Sequence, residues 1–270
     1  MVGKRVLAVA VLGLLGLGMV AFATDVTISG STTVLPIAQA VAEALAGSIE
    51  VEVSGGGSSV GIANLIDGTT MIADHSRGMK LSEVQKAVEK GVHPFTWHVA
   101  NDAIAPVVHP SNPVSDLTLE QLKKIYTGEF TNWNQVGGSN QPIVIVSRDS
   151  SSGTFETWGE KVMHGADVSS GAIYTTSNAD VASEVSSNPN AIGYVGVAYV
   201  TPQLKALTVS GAVASIETAV DLSFPISRPL YMSTNGFPSG DVLKVILYVL
   251  SDAGQRLVQD VGYAPIRVLP

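Results

Sequence analysis

Hydroxyl residues and glycines recur in this sequence wherever an apolar run gives way to a helical pattern, and that combination has the chemistry of an anion site. The fullest instance is Ser147-Arg148-Asp149-Ser150-Ser151-Ser152-Gly153-Thr154-Phe155. It follows the strand-like run Pro142-Ile143-Val144-Ile145-Val146 and precedes Phe155, Trp158, Val162 and Met163, which share one helix face. The first turn of a helix leaves backbone N–H groups without internal acceptors, and the positive end of the macrodipole lies there. Ser150, Ser151, Ser152 and Thr154 add side-chain donors. Gly153 permits close backbone approach, and Arg148 adds a fixed cation with a planar fork of donors. Taken alone, the stretch reads equally well as a serine-rich helix cap beside a surface arginine.

Two earlier stretches repeat the arrangement. Val26-Thr27-Ile28 runs into Ser29-Gly30-Ser31-Thr32-Thr33, then Pro36 at an early helical position and the apolar stripe Ile37, Val41, Ala44 and Leu45. Ile49 to Ser54 alternates like a strand, and Gly55-Gly56-Gly57-Ser58-Ser59 then opens a helix expected to turn Val60, Ala63 and Ile66 inward. Three such turns in one chain argue for convergence on one small oxyanion. The elements that must position them alternate strand and helix, which predicts an α/β fold with parallel sheets and ligands at the carboxyl ends of strands. Capping-box patterns at Ser82–Gln85 and Thr118–Gln121 mark two further helices. Thr96–Val99 and Ala103–Val108 read as one crossing strand broken at Asn101-Asp102, and Phe224 to Met232 as the return crossing. Two crossings predict two Rossmann-like domains with the ligand in the cleft between them. Residues 24–100 with 228–270 form domain I and residues 101–227 form domain II.

Residues 1–23 read as a cleavable secretory signal. Lys4 and Arg5 precede an uncharged apolar run from Val6 to Val20, and Ala21-Phe22-Ala23 fits the cleavage site. A retained membrane anchor is the alternative. The chain contains no cysteine, so neither a disulfide nor a thiolate metal site is available. Removing residues 1–23 leaves 13 Lys and Arg against 23 Asp and Glu, a net charge of −10. An acidic surface of that kind does not suit nucleic acid or anionic lipid. Gly57-Ser58-Ser59-Val60-Gly61 matches the G-x-S-x-G of serine hydrolases, with Asp102/His109 or Asp149/His164 as conceivable partners, but no oxyanion-hole motif accompanies it. The five histidines lack zinc-site spacing, so neither a metal nor a cofactor is expected.

These stretches, together with Asp67-Gly68-Thr69, Ser76-Arg77, Asn190-Ala191-Ile192-Gly193-Tyr194, Ser227-Arg228-Pro229-Leu230-Tyr231 and Gly262-Tyr263-Ala264-Pro265, resemble the periplasmic phosphate-binding proteins of ABC importers. That family lies within the type II solute-binding superfamily, and the resemblance covers nearly the whole chain after the signal. It implies a monomer in the periplasm that closes on dehydrated inorganic phosphate and delivers it to a membrane permease. The implied ligand set is Ser31, Thr32, Thr33, Ser58, Asp74, Ser76, Arg77, Arg148, Ser152, Gly153 and Thr154. Members of the family use an acidic acceptor for a phosphate proton, and here Asp74 ranks above Asp149 for that task. Another tetrahedral oxyanion, such as sulfate, molybdate or tungstate, is the rival ligand.

Overall fold

The computed structural model describes residues 25–269, so the expected signal segment lies outside the described residues. The first part of the chain runs β1 (Val26–Gly30), α1 (Leu35–Leu45), β2 (Val51–Ser54), α2 (Ser58–Asp67), β3 (Ile72–His75) and α3 (Leu81–Glu89). The long strand β4 (Pro94–Val108) follows, then β5 (Asp116–Leu117), α4 (Leu119–Tyr126), β6 (Val144–Arg148) and α5 (Gly153–Trp158). After these come β7 (Ile173–Thr175), α6 (Asn178–Ser187), β8 (Ala191–Gly196), β9 (Lys205–Ala206), β10 (Thr208–Val209) and α7 (Ile216–Val220). The second long strand β11 (Ser227–Asn235) precedes α8 (Gly240–Leu250) and α9 (Asp252–Asp260).

The main sheet has the order β2-β1-β3-β11-β4-β8-β6-β7. Helical crossovers make its two flanks parallel, with β1 between β2 and β3, and β6 between β7 and β8. Between the flanks, β11 runs antiparallel to both β3 and β4, and β4 runs antiparallel to β8. The two crossing strands therefore pair with each other and join the flanks into one continuous sheet, where the sequence suggested two.

Asn101-Asp102 does not break β4. Both residues are buried, and each has a partner that makes burial tolerable. Asn101 exchanges backbone hydrogen bonds of 2.8 and 3.0 Å with Ala264, and Asp102 faces Arg228 in register on β11. The apolar core changes hands at this point. Ile28, Val41, Val99, Ala100, Leu230 and Tyr263 belong to one cluster, whereas Ala103, Ile104, Trp158, Tyr194, Ile226 and Ala264 belong to another. Below, the two halves of the molecule are the parts built on these two cores.

Two local expectations shift. Helix α2 buries Gly61, Ile62, Leu65 and Ile66 and leaves Val60 exposed, because Gly61 presses onto the backbone of Ser29 and Gly30. A Cβ at Gly61 would lie 2.3 Å from the Ser29 carbonyl oxygen, so the contact fixes how the helix is rotated. Helix α3 starts at Leu81, and its N-terminal box is closed by Glu83 accepting the Lys80 N–H at 2.8 Å. Ser82 lies inside it. The Thr118–Gln121 box forms as expected, with bonds of 3.1 and 2.9 Å.

Candidate functional site

Three helix starts meet on the line where the halves face each other. At α1, Ser31 Oγ accepts from the Thr33 N–H at 3.1 Å; at α5, Ser152 Oγ accepts from the N–H groups of Thr154 and Phe155 at 3.1 and 3.2 Å. Ser152 thus caps α5 and Ser31 ties the turn that leads into α1, and each keeps a hydroxyl proton to donate elsewhere. At α2, Ser58 Oγ accepts from the Ser76 N–H at 3.0 Å. Thr33 Oγ1 lies 2.9 Å from Thr154 Oγ1 across the divide. Close approach depends on Gly153, where a Cβ would come within 2.4 Å of Ser58 Oγ and 2.7 Å of Ser76 Oγ. The backbone helps to seam the halves, as the Ser59 N–H donates to Ser151 O at 3.0 Å.

Arg148 ends β6, where Tyr194 anchors the strand by accepting the Arg148 backbone N–H at 3.1 Å while stacking on Trp158. The Arg148 side chain is 1% exposed and donates from Nη2 to Thr176 O at 2.8 Å. Its Nε and Nη1 have no protein partner. Burial and then the neighbouring Arg228 push its pKa down, against the opposing pull of Tyr194 and Asp149.

Asp74 ends the β3 pairing opposite Gly30, and its backbone carbonyl accepts the Ser31 N–H at 3.0 Å. Its carboxyl is fully buried with neither oxygen hydrogen-bonded, and burial lifts its pKa to about 8. The Tyr199 phenol donates to Thr32 O at 2.6 Å, and burial raises its pKa, with Arg148 pulling it down and Asp102 and Asp74 pushing it further up. Arginine, carboxyl and hydroxyls therefore share one electrostatic neighbourhood. Asp149, the other candidate acceptor, is engaged by the Ser151 N–H at 2.7 Å and by the Ser151 hydroxyl.

Arg77 has a different occupation. Its guanidinium pairs with Glu83 at 2.7 Å and with Glu156 of α5 at 2.8 Å, and it donates to Ser59 Oγ at 3.0 Å. Lys80 adds a 3.0 Å contact to the same Glu156. Ser59 is thereby held by an arginine and faces a glutamate at 3.4 Å. The histidines expected of a hydrolase are bonded elsewhere, His109 to Ser111 and His164 to Glu160 O.

Sequence reasoning missed three residues that the fold brings here. Arg228 donates to Thr33 Oγ1, Thr154 Oγ1 and Ser76 Oγ at 3.2, 2.9 and 3.2 Å. Asp102 binds that arginine at 2.9 Å. Asn178 donates to Thr32 Oγ1 and Thr33 Oγ1 at 3.2 and 3.1 Å. The Ser177-Asn178-Ala179-Asp180 pattern at the start of α6 was a fourth helix-start signal that could have exposed Asn178.

A family model described as the PBP superfamily domain matches residues 21–253. The phosphate-binding protein PstS of Bacillus subtilis is 30% identical over 250 residues, covering 90% of this chain and 81% of its own. The PstS of Borreliella burgdorferi is 30% identical over 257 residues, covering 90% of each. The chain belongs to the PstS family of the PBP superfamily. The PstS likeness extends to three dimensions. An X-ray structure from Clostridium perfringens, described as a phosphate ABC transporter substrate-binding protein with bound phosphate, shares 34% identity and a TM-score of 0.83, covering 90% of this chain and 99% of that one. The α/β architecture is that of the type II binding proteins.

Proposed function

We propose that this chain binds inorganic phosphate where α1, α2 and α5 begin, and hands it to the membrane permease of an ABC importer. The observation that carries this reading is a pair of buried groups with unused bonding capacity in one hydroxyl-rich cluster. Arg148 offers two donors and Asp74 offers a carboxyl. A tetrahedral anion that still carries a proton satisfies both kinds of group at once, and helix-start N–H groups with Thr32, Thr33, Ser58, Ser76, Ser152 and Thr154 supply the remaining donors. The names of the PstS relatives support phosphate over other oxyanions, and those relatives are binding proteins. Arg77 contributes by joining the halves through Glu156, and Ser31 by tying the turn before α1. The halves are two domains, 24–100 with 228–270 and 101–227, that close over the ligand, and the segment 1–23 exports the chain to the periplasm.

Asp74 gives the site a pH-dependent preference. Below about pH 8 the neutral carboxyl donates to any acceptor oxygen; above it the carboxylate accepts a proton from phosphate and repels sulfate, which has none to give. Calorimetric titration of ligand-stripped protein with phosphate and with sulfate tests this. Phosphate binds, its margin over sulfate widens between about pH 6.5 and about pH 9, and Asp74→Asn removes the widening. Sulfate binding as tight as phosphate at the higher pH overturns the assignment.

A further inference from the structure

The turn that leads into α1 contains one backbone acceptor that its own helix cannot serve. The Leu35 N–H bonds Ser31 O at 2.9 Å, the ordinary span of a helical turn. Four residues beyond Thr32 stands Pro36, which has no N–H, so the Thr32 carbonyl lacks the donor that helical geometry would give it. Its donor comes from the other half, where the Tyr199 phenol reaches it at 2.6 Å. Tyr199 ends the short helical turn Val197–Tyr199 that follows β8, and it packs against the apolar cluster holding Val146, Val181 and Val195. Burial pushes the phenol's pKa to about 12, so it keeps the proton that it donates.

The turn carrying Tyr199 is itself fastened. The Val197 N–H donates to Asp102 Oδ1 at 3.0 Å, and the Gly196 N–H donates to Asn178 Oδ1 at 3.3 Å. Asn178 Nδ2 in turn donates to Thr32 Oγ1 at 3.2 Å, so Thr32 is held from the other half by backbone and side chain alike. A Cβ at Gly196 would lie 3.2 Å from Thr33 Cγ2, which measures how closely the two elements meet.

We propose that Tyr199 is a positioning residue that supplies, once the halves meet, the hydrogen bond Pro36 denies the Thr32 carbonyl, and so slows phosphate release. The inference rests on the phosphate reading of this site and deepens it. With the halves apart, water serves the carbonyl; with them together Thr32 is buried and the phenol takes water's place. The bond therefore belongs to the closed state, and its contribution appears in how long phosphate stays rather than in how fast it arrives.

Tyr199→Phe deletes the hydroxyl alone. Calorimetric titration of phosphate-stripped protein with inorganic phosphate then shows binding weaker by about tenfold. A chase of radiolabelled phosphate shows release faster by the same factor, with association within about twofold of wild type. Pro36→Ala restores a backbone N–H four residues from Thr32 and gives the readout that general loosening cannot imitate. In that background Tyr199→Phe costs less than about threefold, because the carbonyl stays satisfied. A Tyr199→Phe protein that binds and releases phosphate like wild type overturns the inference and leaves the phosphate site standing. So does a loss that Pro36→Ala does not diminish, or one carried by slower association. If the wild-type protein does not bind phosphate, the site reading falls and this inference falls with it.

Discussion

Asp74 carries the largest burden of any single side chain here, because a carboxyl with no hydrogen-bond partner is costly to ionise in a dry place. Its folded pKa of about 8 lies above the ordinary value of 3.8, so its contribution to stability is present in acid and is lost as pH rises toward 8. His75 opposes it lower down, since burial drops its pKa to about 4 and costs stability as pH falls below 6.5. Between about pH 6.5 and about pH 8 Asp74 therefore acts alone of the two. We expect wild-type protein, without phosphate, to lose about 2 kcal/mol relative to Asp74→Asn across that interval, measured by urea unfolding at both ends. Arg148→Gln removes the cation whose Nε and Nη1 lack protein partners, and phosphate affinity should fall by about a hundredfold or more in titration while the thermal midpoint of the ligand-free protein changes little. Arg148 was legible because its chemistry is local: a cation two residues from the end of an apolar run, next to serines and a glycine. Arg228 and Asn178 were not, because their partners lie far off in sequence, Asp102 across paired strands and Thr33 across the halves. Arg77 is claimed by one carboxylate close by in sequence, Glu83 of α3, and by one far off, Glu156 of α5, and only the second was beyond local reading.

At the scale of elements, the site exists because helix starts are packed end against end at distances that only glycine permits. Gly57 has φ +104 and would place a Cβ 2.5 Å from Ser151 Oγ, and Gly153 faces two serine hydroxyls. Gly153→Ala should therefore hold the halves apart and weaken phosphate binding by about tenfold or more, while unfolding free energy measured without ligand falls by less than about 1 kcal/mol. Equal losses in both would place the glycine's role in folding instead. The strand–turn–helix units were readable, since each is a local change of period with a hydroxyl at the junction. The rotation of α2 was not, because a non-local contact sets it, Gly61 on the backbone of β1. The continuity of β4 through Asn101-Asp102 escaped as well: polar residues in a strand look like a break until Ala264 and Arg228 arrive to satisfy them.

For the molecule as a whole, Glu156 deserves weight because it links Arg77 and Lys80 of one half to α5 of the other. Lys80 is exposed and Glu156 partly so, although Arg77 is buried, so the latch is worth less than its short distances suggest. Glu156→Gln should weaken phosphate binding about threefold to fivefold by favouring the open arrangement, with a larger radius of gyration in solution scattering before phosphate is added. An unchanged radius would exclude a latch. The end of the chain adds a restraint of another kind. Tyr263 is packed in the core of one half and Ala264 in the core of the other, while Ala264 is bonded on both sides to Asn101. The waist is thus crossed by β4 and β11 and braced at Ala264, which bonds to β4 before Ile266 returns to Gln255 of α9. Two strands alone leave a joint free to swivel; a brace lying beside them leaves one axis about which it can swing, so opening should follow a single repeatable arc that returns every hydroxyl to the same place.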